Sequence, residues 1–130
     1  YTADVYVTGG RDGAAKSSDG RLDVKLSSPG GRGQGTNPEQ LFAAGWSACL
    51  QGAMAIAARA KGLTLPPELA IDAQIELRQG NDGFSLAARL TVHVPGVSPE
   101  VARQIIETAH RTCPYSKSIK GNIDAVVALV

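Results

Sequence analysis

The sequence predicts an α+β domain with mostly antiparallel sheets, in the order βββ-α-ββ-α-β. Apolar and polar residues alternate in several short stretches, which is typical of strands with one wet face. Residues 40–58 carry no charge and predict a central helix that is apolar on nearly every side. The 130 residues contain no repeat or second composition zone, so we expect a single domain over residues 1–130.

The N-terminal third is predicted to form three strands. Apolar side chains alternate from Val5 to Val7 and again from Leu22 to Leu26, with turn signals at residues 9–13 and 19–20. The glycine-rich stretch 29–35 follows. Its glycine spacing does not match a dinucleotide-binding or phosphate-binding loop, so we interpret it as a flexible connection.

The central helix has clear start and stop signals. Asn37 can cap it, Pro38 suits the first helical position and Gln40 occupies the capping-box site. We expect the helix to run to about Lys61 and to stop at Gly62.

The second half of the chain predicts a hairpin, a helix and a last strand. Alternating apolar residues cover 71–77 and 84–94, with a turn at 80–83 between them. A helix is expected from residues 98–100 to Cys113, because the proline that follows Cys113 disfavours helical backbone there. Residues 123–130 are rich in β-branched side chains and predict the final strand.

Composition excludes several classes of function. Lys and Arg number 13 against 12 Asp and Glu, and this net charge of +1 gives no electrostatic basis for binding nucleic acid or an anionic membrane. Aromatic residues make up 5%, too few for a surface on which bases stack. The uncharged stretch 40–58 is poor in the Leu, Ile, Phe and Val that drive membrane insertion, so we expect a soluble cytoplasmic protein.

The two cysteines, Cys49 and Cys113, are the first candidates for chemistry. Taken singly, each is most simply a small core hydrophobe, since free cysteine is among the most buried residue types. A nucleophilic Cys49 would need a nearby cation, because burial raises the pKa of a thiol and the thiolate is the reactive form. Two cysteines in a reducing compartment also suit a redox couple. The two cysteines and the two histidines of the chain have no evident third ligand near them, so we expect no metal site.

Three charged or titratable residues lie at turns or helix ends. Arg11 stands between glycines in a turn and is either solvated or aimed into a cleft. Glu39 is favourable near the positive end of the helix dipole. His110 precedes Cys113 by three positions, a spacing that would suit a Cys-His hydrolase pair.

Three segments resemble the organic hydroperoxide resistance proteins, thiol-dependent peroxidases of the Ohr/OsmC superfamily. They are GGRDG at residues 9–13, GTNPEQLFAAGWSAC at residues 35–49, and CPYS at residues 113–116 with GNI at 121–123. The expected element order fits that family over nearly the whole chain. Trp46 departs from the Tyr expected at its position.

The resemblance implies a role for each matching residue. Cys49 would be the peroxidatic cysteine and Cys113 the resolving one. Arg11 would activate the thiol and orient the peroxide, and Glu39 would hold Arg11. An apolar surround would favour alkyl or fatty-acid hydroperoxides over hydrogen peroxide. The candidate pocket residues are Phe42, Trp46 and Ile119.

The resemblance also implies an intertwined OsmC-like homodimer with two active sites at the subunit interface. The nearly all-apolar helix agrees with this, since a partner subunit would cover the face that one chain leaves open, although helix packing in a larger heteromer would do the same. No bound cofactor is expected. The implied external reductant is dihydrolipoamide, usually carried on a lipoylated protein, which would restore the two thiols by exchange.

Helix geometry constrains how Arg11 could serve both Glu39 and Cys49. Ten residues of unbroken helix separate Glu39 and Cys49 by about 15 Å along the axis. Either the helix breaks near Gly45, or the Glu39 and Cys49 of one site come from different subunits. We prefer the second hypothesis, because it makes the dimer obligatory for activity.

Two other functions remain open from the residues alone. A non-catalytic dimeric protein could bind a small ligand, with Cys49 packed in the core and Arg11 holding a carboxylate. A Cys-His acyl hydrolase would instead depend on His110.

Overall fold

The computed structural model describes all 130 residues and has the predicted α+β character. The chain forms two compact units, residues 1–41 and residues 42–130. Its elements follow the order βββ-α-ββ-α-α-β, one helix more than the sequence predicts.

The first unit contains a three-stranded antiparallel sheet, as predicted. Its strands are β1 (Val5–Thr8), β2 (Ala14–Ser17) and β3 (Asp23–Lys25), paired in that order. The turn between β1 and β2 depends on glycine at both ends. Gly9 has a φ of 68°, and a Cβ at Gly13 would overlap the carbonyl oxygen of Thr8.

Helix α1 (Pro38–Ala60) begins and ends close to its predicted bounds. The side chain of Asn37 accepts a hydrogen bond from the backbone N–H of Gln40 at 2.9 Å. The expected capping box is wrong in its second half, since the Gln40 amide oxygen accepts instead from the hydroxyl of Thr36. Gly62, with a φ of 71°, provides the left-handed stop.

The second unit contains a sheet whose strand order is β4-β5-β6. Strands β4 (Ala70–Gly80) and β5 (Gly83–His93) form the predicted antiparallel hairpin. Strand β6 (Asp124–Leu129) pairs in parallel with β5. Helix α2 (Pro99–Thr112) starts at Ser98, whose hydroxyl accepts from the N–H of Val101.

The short helix α3 (Pro114–Ile119) is the element that the sequence analysis missed. The predicted stop at Cys113 is correct, because this residue before proline has φ −59° and ψ 125° rather than helical angles. Proline is also favoured at the first position of a helix, so the residue that ends α2 allows α3 to start at once.

The core of the second unit is built on one face of α1. Its fully buried side chains there, Trp46, Leu50 and Met54, join apolar residues of β5 and α2. As expected for a single chain, the opposite face of α1 remains open. Ile56 is 68% exposed. The small residues exposed beside Ile56 on the open face of α1 are Ala44, Ala48, Gly52 and Ala55.

By length and composition alone, α1 would also qualify as a membrane-spanning helix. Its buried face and its place in the hydrophobic core favour the interpretation as a core helix.

Candidate functional site

The two cysteines meet in the second unit. Cys49 lies in the middle of α1 and Cys113 at the junction of α2 and α3, and their Sγ atoms are 3.1 Å apart. Both are free thiols. Cys113 is fully buried, whereas Cys49 is partly exposed. Cys49 and Cys113 are 64 residues apart in sequence. Their sulfur atoms nevertheless lie so close that only a small movement would bring them within disulfide-bonding distance when they are oxidised.

The backbone of Cys113 is fixed from both sides. Its N–H donates to the carbonyl of Ala109 in α2, at 2.7 Å, and its carbonyl accepts from the N–H of Lys117 in α3, at 2.9 Å. Because Cys113 ends one helix and begins the next, both helices fix the position of its backbone.

Opposing influences act on the thiol of Cys49. Burial raises its pKa above the ordinary value of 9.0, and the neighbouring Cys113 raises it further. A hydrogen bond from the backbone N–H of Tyr115 lowers the pKa, but the net direction is upward. No cation is among these influences. Within one chain, the surroundings of Cys49 therefore favour the neutral thiol over the thiolate.

The first unit holds an ion pair between Arg11 and Glu39. The guanidinium donates from Nη1 to Oε2 at 3.0 Å and from Nη2 to Oε1 at 2.7 Å, the bidentate geometry that Arg and a carboxylate favour. The Glu39 side chain is 12% exposed and that of Arg11 is 42% exposed. The hydrogen bond from Arg11 lowers the pKa of Glu39, so this carboxylate is ionised at neutral pH.

The turn that carries Arg11 is anchored by its neighbour Asp12. The Asp12 carboxylate accepts from both the N–H and the hydroxyl of Ser28, each at 2.9 Å. These bonds lower the pKa of Asp12. The turn that carries Arg11 is therefore held in place by hydrogen bonds, and Glu39 orients the guanidinium of Arg11.

Helix α1 runs without a break from Pro38 to Ala60, so no break near Gly45 shortens it. Glu39 and Cys49 are therefore separated by about 15 Å along its axis. The alternative with a helix break near Gly45 is therefore wrong, and the arrangement with two subunits stays a prediction.

The predicted pocket residues differ in what they can offer a substrate. Trp46 is fully buried and Ile119 is 8% exposed, so both contribute to the core of this chain. Phe42 is partly exposed, with its ring centroid 5.7 Å from that of Trp46 and 6.1 Å from that of Tyr115. Phe42 and the exposed Tyr115 thus form an aromatic surface, and the backbone N–H of Tyr115 bonds to Cys49.

Sequence reasoning missed a buried polar junction in the second unit. The Trp46 indole Nε1 donates to Ser116 Oγ at 2.9 Å, and His110 Nδ1 lies 3.0 Å from the same oxygen. His110 has no hydrogen bond to either cysteine, which disfavours the Cys-His hydrolase. The one signal in the sequence is that Trp46, His110 and Ser116 each lie three residues from a cysteine.

Comparisons with known proteins cover nearly the whole chain. The family model described as OsmC-like protein matches residues 28–127. The organic hydroperoxide resistance protein of Xanthomonas axonopodis pv. citri is 46% identical over 133 residues, which span 99% of this chain and 94% of that protein. The organic hydroperoxide resistance protein OhrB of Bacillus subtilis is 36% identical over 132 residues, 99% of this chain and 97% of OhrB.

Solved structures of organic hydroperoxide resistance proteins are also similar to this chain over nearly its full length. The crystal structure of OhrB from Bacillus subtilis has a TM-score of 0.94 at 36% identity and covers 100% of this chain and 98% of its own. The structure of an organic hydroperoxide resistance protein OsmC from Legionella pneumophila has a TM-score of 0.92 at 35% identity, with coverages of 99% and 96%. The similarity extends over the full length and is not confined to the cysteine motifs.

Proposed function

Because this chain belongs to the OsmC-like family, among the organic hydroperoxide resistance proteins, we propose that it is a thiol-dependent peroxidase that detoxifies organic hydroperoxides. The observation that carries the proposal is the 3.1 Å distance between the sulfurs of Cys49 and Cys113. A pair held this closely suits a cycle in which one sulfur is oxidised by the peroxide and the other forms a disulfide with it.

In the first step, the Cys49 thiolate attacks one oxygen of the hydroperoxide. An S–O bond forms, the O–O bond breaks, and the alkoxide leaves and takes up a proton to become the alcohol. Cys49 is then a sulfenic acid. Cys113 attacks that sulfur, an S–S bond forms, and the hydroxyl leaves with the proton of Cys113 as water.

A dithiol completes the cycle by reducing the disulfide, and we propose dihydrolipoamide or a lipoylated protein as its source. The first thiol of the reductant forms a mixed disulfide, and its second thiol releases the enzyme with both cysteines reduced. A reductant with two linked thiols completes both exchange steps without the binding of a second reductant molecule. Such a cycle requires a compartment that keeps thiols reduced, so we expect the protein in the cytoplasm.

We further propose that the protein acts as a homodimer and that each site combines Cys49 and Cys113 with the Arg11–Glu39 pair of the partner subunit. Two observations support this. Helix α1 is unbroken, and the influences on the pKa of Cys49 within one chain include no cation. The exposed small-residue face of α1 offers an apolar surface that a second copy would cover.

The peroxidase is tested by dihydrolipoamide oxidation with cumene hydroperoxide as the substrate. We expect turnover with wild type and none with Cys49→Ser. Cys113→Ser should consume one peroxide and then stall or over-oxidise at Cys49. If both thiols of wild type remain titratable after one equivalent of peroxide, the peroxidase is wrong and the non-catalytic ligand-binding protein is favoured.

The shared site is tested by mixing two inactive subunits. Arg11→Ala and Cys49→Ser chains with different affinity tags are co-expressed, and the heterodimer is purified through both tags. A site shared between subunits leaves one intact site of two, so about half of the wild-type activity should return. A site built within one subunit leaves none intact, and the heterodimer would be inactive.

A further inference from the structure

Ser116 is a buried polar residue, with 2% of the residue exposed. Its hydroxyl oxygen lies between two donors or acceptors from different helices, Trp46 Nε1 at 2.9 Å and His110 Nδ1 at 3.0 Å. Neither the thiol chemistry nor the Arg11–Glu39 pair uses this junction. A buried hydrogen-bonded group of this kind usually specifies one arrangement of the elements around it.

The hydrogen bonds of the junction are mutually consistent. An indole N–H can only donate, so Ser116 Oγ accepts from Trp46. The hydroxyl hydrogen is then available for Nδ1 of a neutral imidazole. Burial is the main cause that lowers the pKa of His110, with Lys120 adding to it, so the neutral ring is favoured. All three polar groups are satisfied only when the three side chains are together.

The junction connects the segments that carry the two cysteines. Trp46 lies three residues before Cys49 on α1, and Ser116 lies three residues after Cys113 on α3. His110, on α2, lies three residues before Cys113. The hydrogen bonds therefore fasten α1 to both sides of the α2–α3 junction. The fully buried Cys113 can approach Cys49 only as far as that junction allows.

We propose that Ser116 is a positioning residue for the second step of the cycle, which holds Cys113 where it can attack the oxidised sulfur of Cys49. This inference rests on the proposed peroxidase function. The first step involves Cys49, the hydroperoxide and Arg11 of the partner subunit, whereas the Ser116 hydroxyl bonds to Trp46 and His110, so Ser116 should not affect that step. In the second step, S–S bond formation competes with a second hydroperoxide, which would oxidise the sulfenic acid to a sulfinic acid.

The test compares Ser116→Ala with Ser118→Ala. Ser118 lies on the same short helix but is exposed, and its hydroxyl only donates to the carbonyl of Tyr115. After rapid mixing with cumene hydroperoxide, acid-quenched samples are analysed by mass spectrometry for sulfenic acid, disulfide and sulfinic acid. We expect Ser116→Ala to leave the first rate within about twofold of wild type. Disulfide formation should slow about tenfold, and the sulfinic fraction should rise.

A second pair of variants separates positioning from packing. His110→Asn places an amide near the position of Nδ1 and should retain most of the disulfide rate, whereas His110→Leu should behave like Ser116→Ala. Disulfide formation in Ser116→Ala at the wild-type rate would overturn the inference and leave the peroxidase intact. A parallel loss of both rates together with a lower Tm would reduce Ser116 to a packing role. No disulfide in wild type would overturn the peroxidase and this inference together.

Discussion

The Arg11–Glu39 pair and the Cys49–Cys113 pair are built on opposite principles. The ion pair is partly open to solvent, bidentate and fully charged, and each partner stabilises the ionised form of the other. The thiol pair is largely buried, and its surroundings disfavour the thiolate that chemistry requires. In the proposed mechanism, neither pair is complete alone. One supplies a preoriented charge without a nucleophile, and the other a nucleophile without its counter-charge.

Removal of the cation is expected to have the largest effect. Arg11→Ala should lower kcat/KM for cumene hydroperoxide roughly 10²–10³-fold, because the charged donor to the thiolate and to the peroxide is lost. Initial rates with dihydrolipoamide as reductant measure this loss. Arg21→Ala is the control, since Arg21 is an exposed arginine of the first unit that pairs with Asp19. Equal rates in both variants would show that the ion pair does not serve the thiols.

Neutralisation of the carboxylate should have a smaller effect. Glu39→Gln retains the side-chain shape but weakens the hold on Arg11, and we expect a loss of kcat/KM of about tenfold from misorientation of the guanidinium. Glu100→Gln is the control, because Glu100 also lies in the first turn of a helix, α2. If Glu39→Gln lowers the free energy of unfolding but not kcat/KM, Glu39 only stabilises the N-terminus of α1.

The activity of the Cys49–Cys113 pair should depend on the close approach of Gly45 and Tyr115. A Cβ at Gly45 would lie 2.7 Å from Tyr115 Oη and 3.2 Å from Cζ, so the ring must shift. Because the Tyr115 N–H bonds to Cys49, we expect Gly45→Ala to reduce kcat/KM several-fold. Added Tyr115→Phe removes the closest atom and should restore part of the rate. Independent, additive effects in the double variant would exclude this contact as the cause.

The sequence predicted most elements because their signals are local. The Asn37 cap, the Gly62 stop and the alternation in β4 and β5 each depend on neighbouring residues. The helix after Cys113 was missed, because a proline that ends one helix also starts the next.

The site was predicted less evenly. The motifs around Cys49 and Cys113 resembled a family, whereas the bond between Trp46 and Ser116 joins residues 70 positions apart and has no local signature. The apolar character of α1 was predicted, but an apolar face in sequence does not reveal whether the same chain or a partner covers it. Phe42 and Tyr115 illustrate the same limit, because their contact depends on how α1 and α3 pack.

The smallest predicted effect is a difference in acid sensitivity between the two regions. The pKa of His110 is lowered from 6.5, so the unfolded chain binds that proton more readily and stability falls as the pH drops below 6.5. The pKa of Glu39 is lowered from 4.5, so the contribution of the ion pair is lost only below 4.5. Urea unfolding across this pH range should show that His110→Asn removes the first decline and leaves the second. A variant that retains both declines would contradict this assignment.

We infer that Arg11 of the partner subunit keeps the Cys49 thiol ionised in the dimer. The pH dependence of alkylation by iodoacetamide, measured in the Cys113→Ser background with and without Arg11→Ala, tests it most directly. We expect an apparent pKa of Cys49 below 9.0 with Arg11 present and above 9.0 without it. Titration of Cys49 above 9.0 in both proteins would contradict the claim.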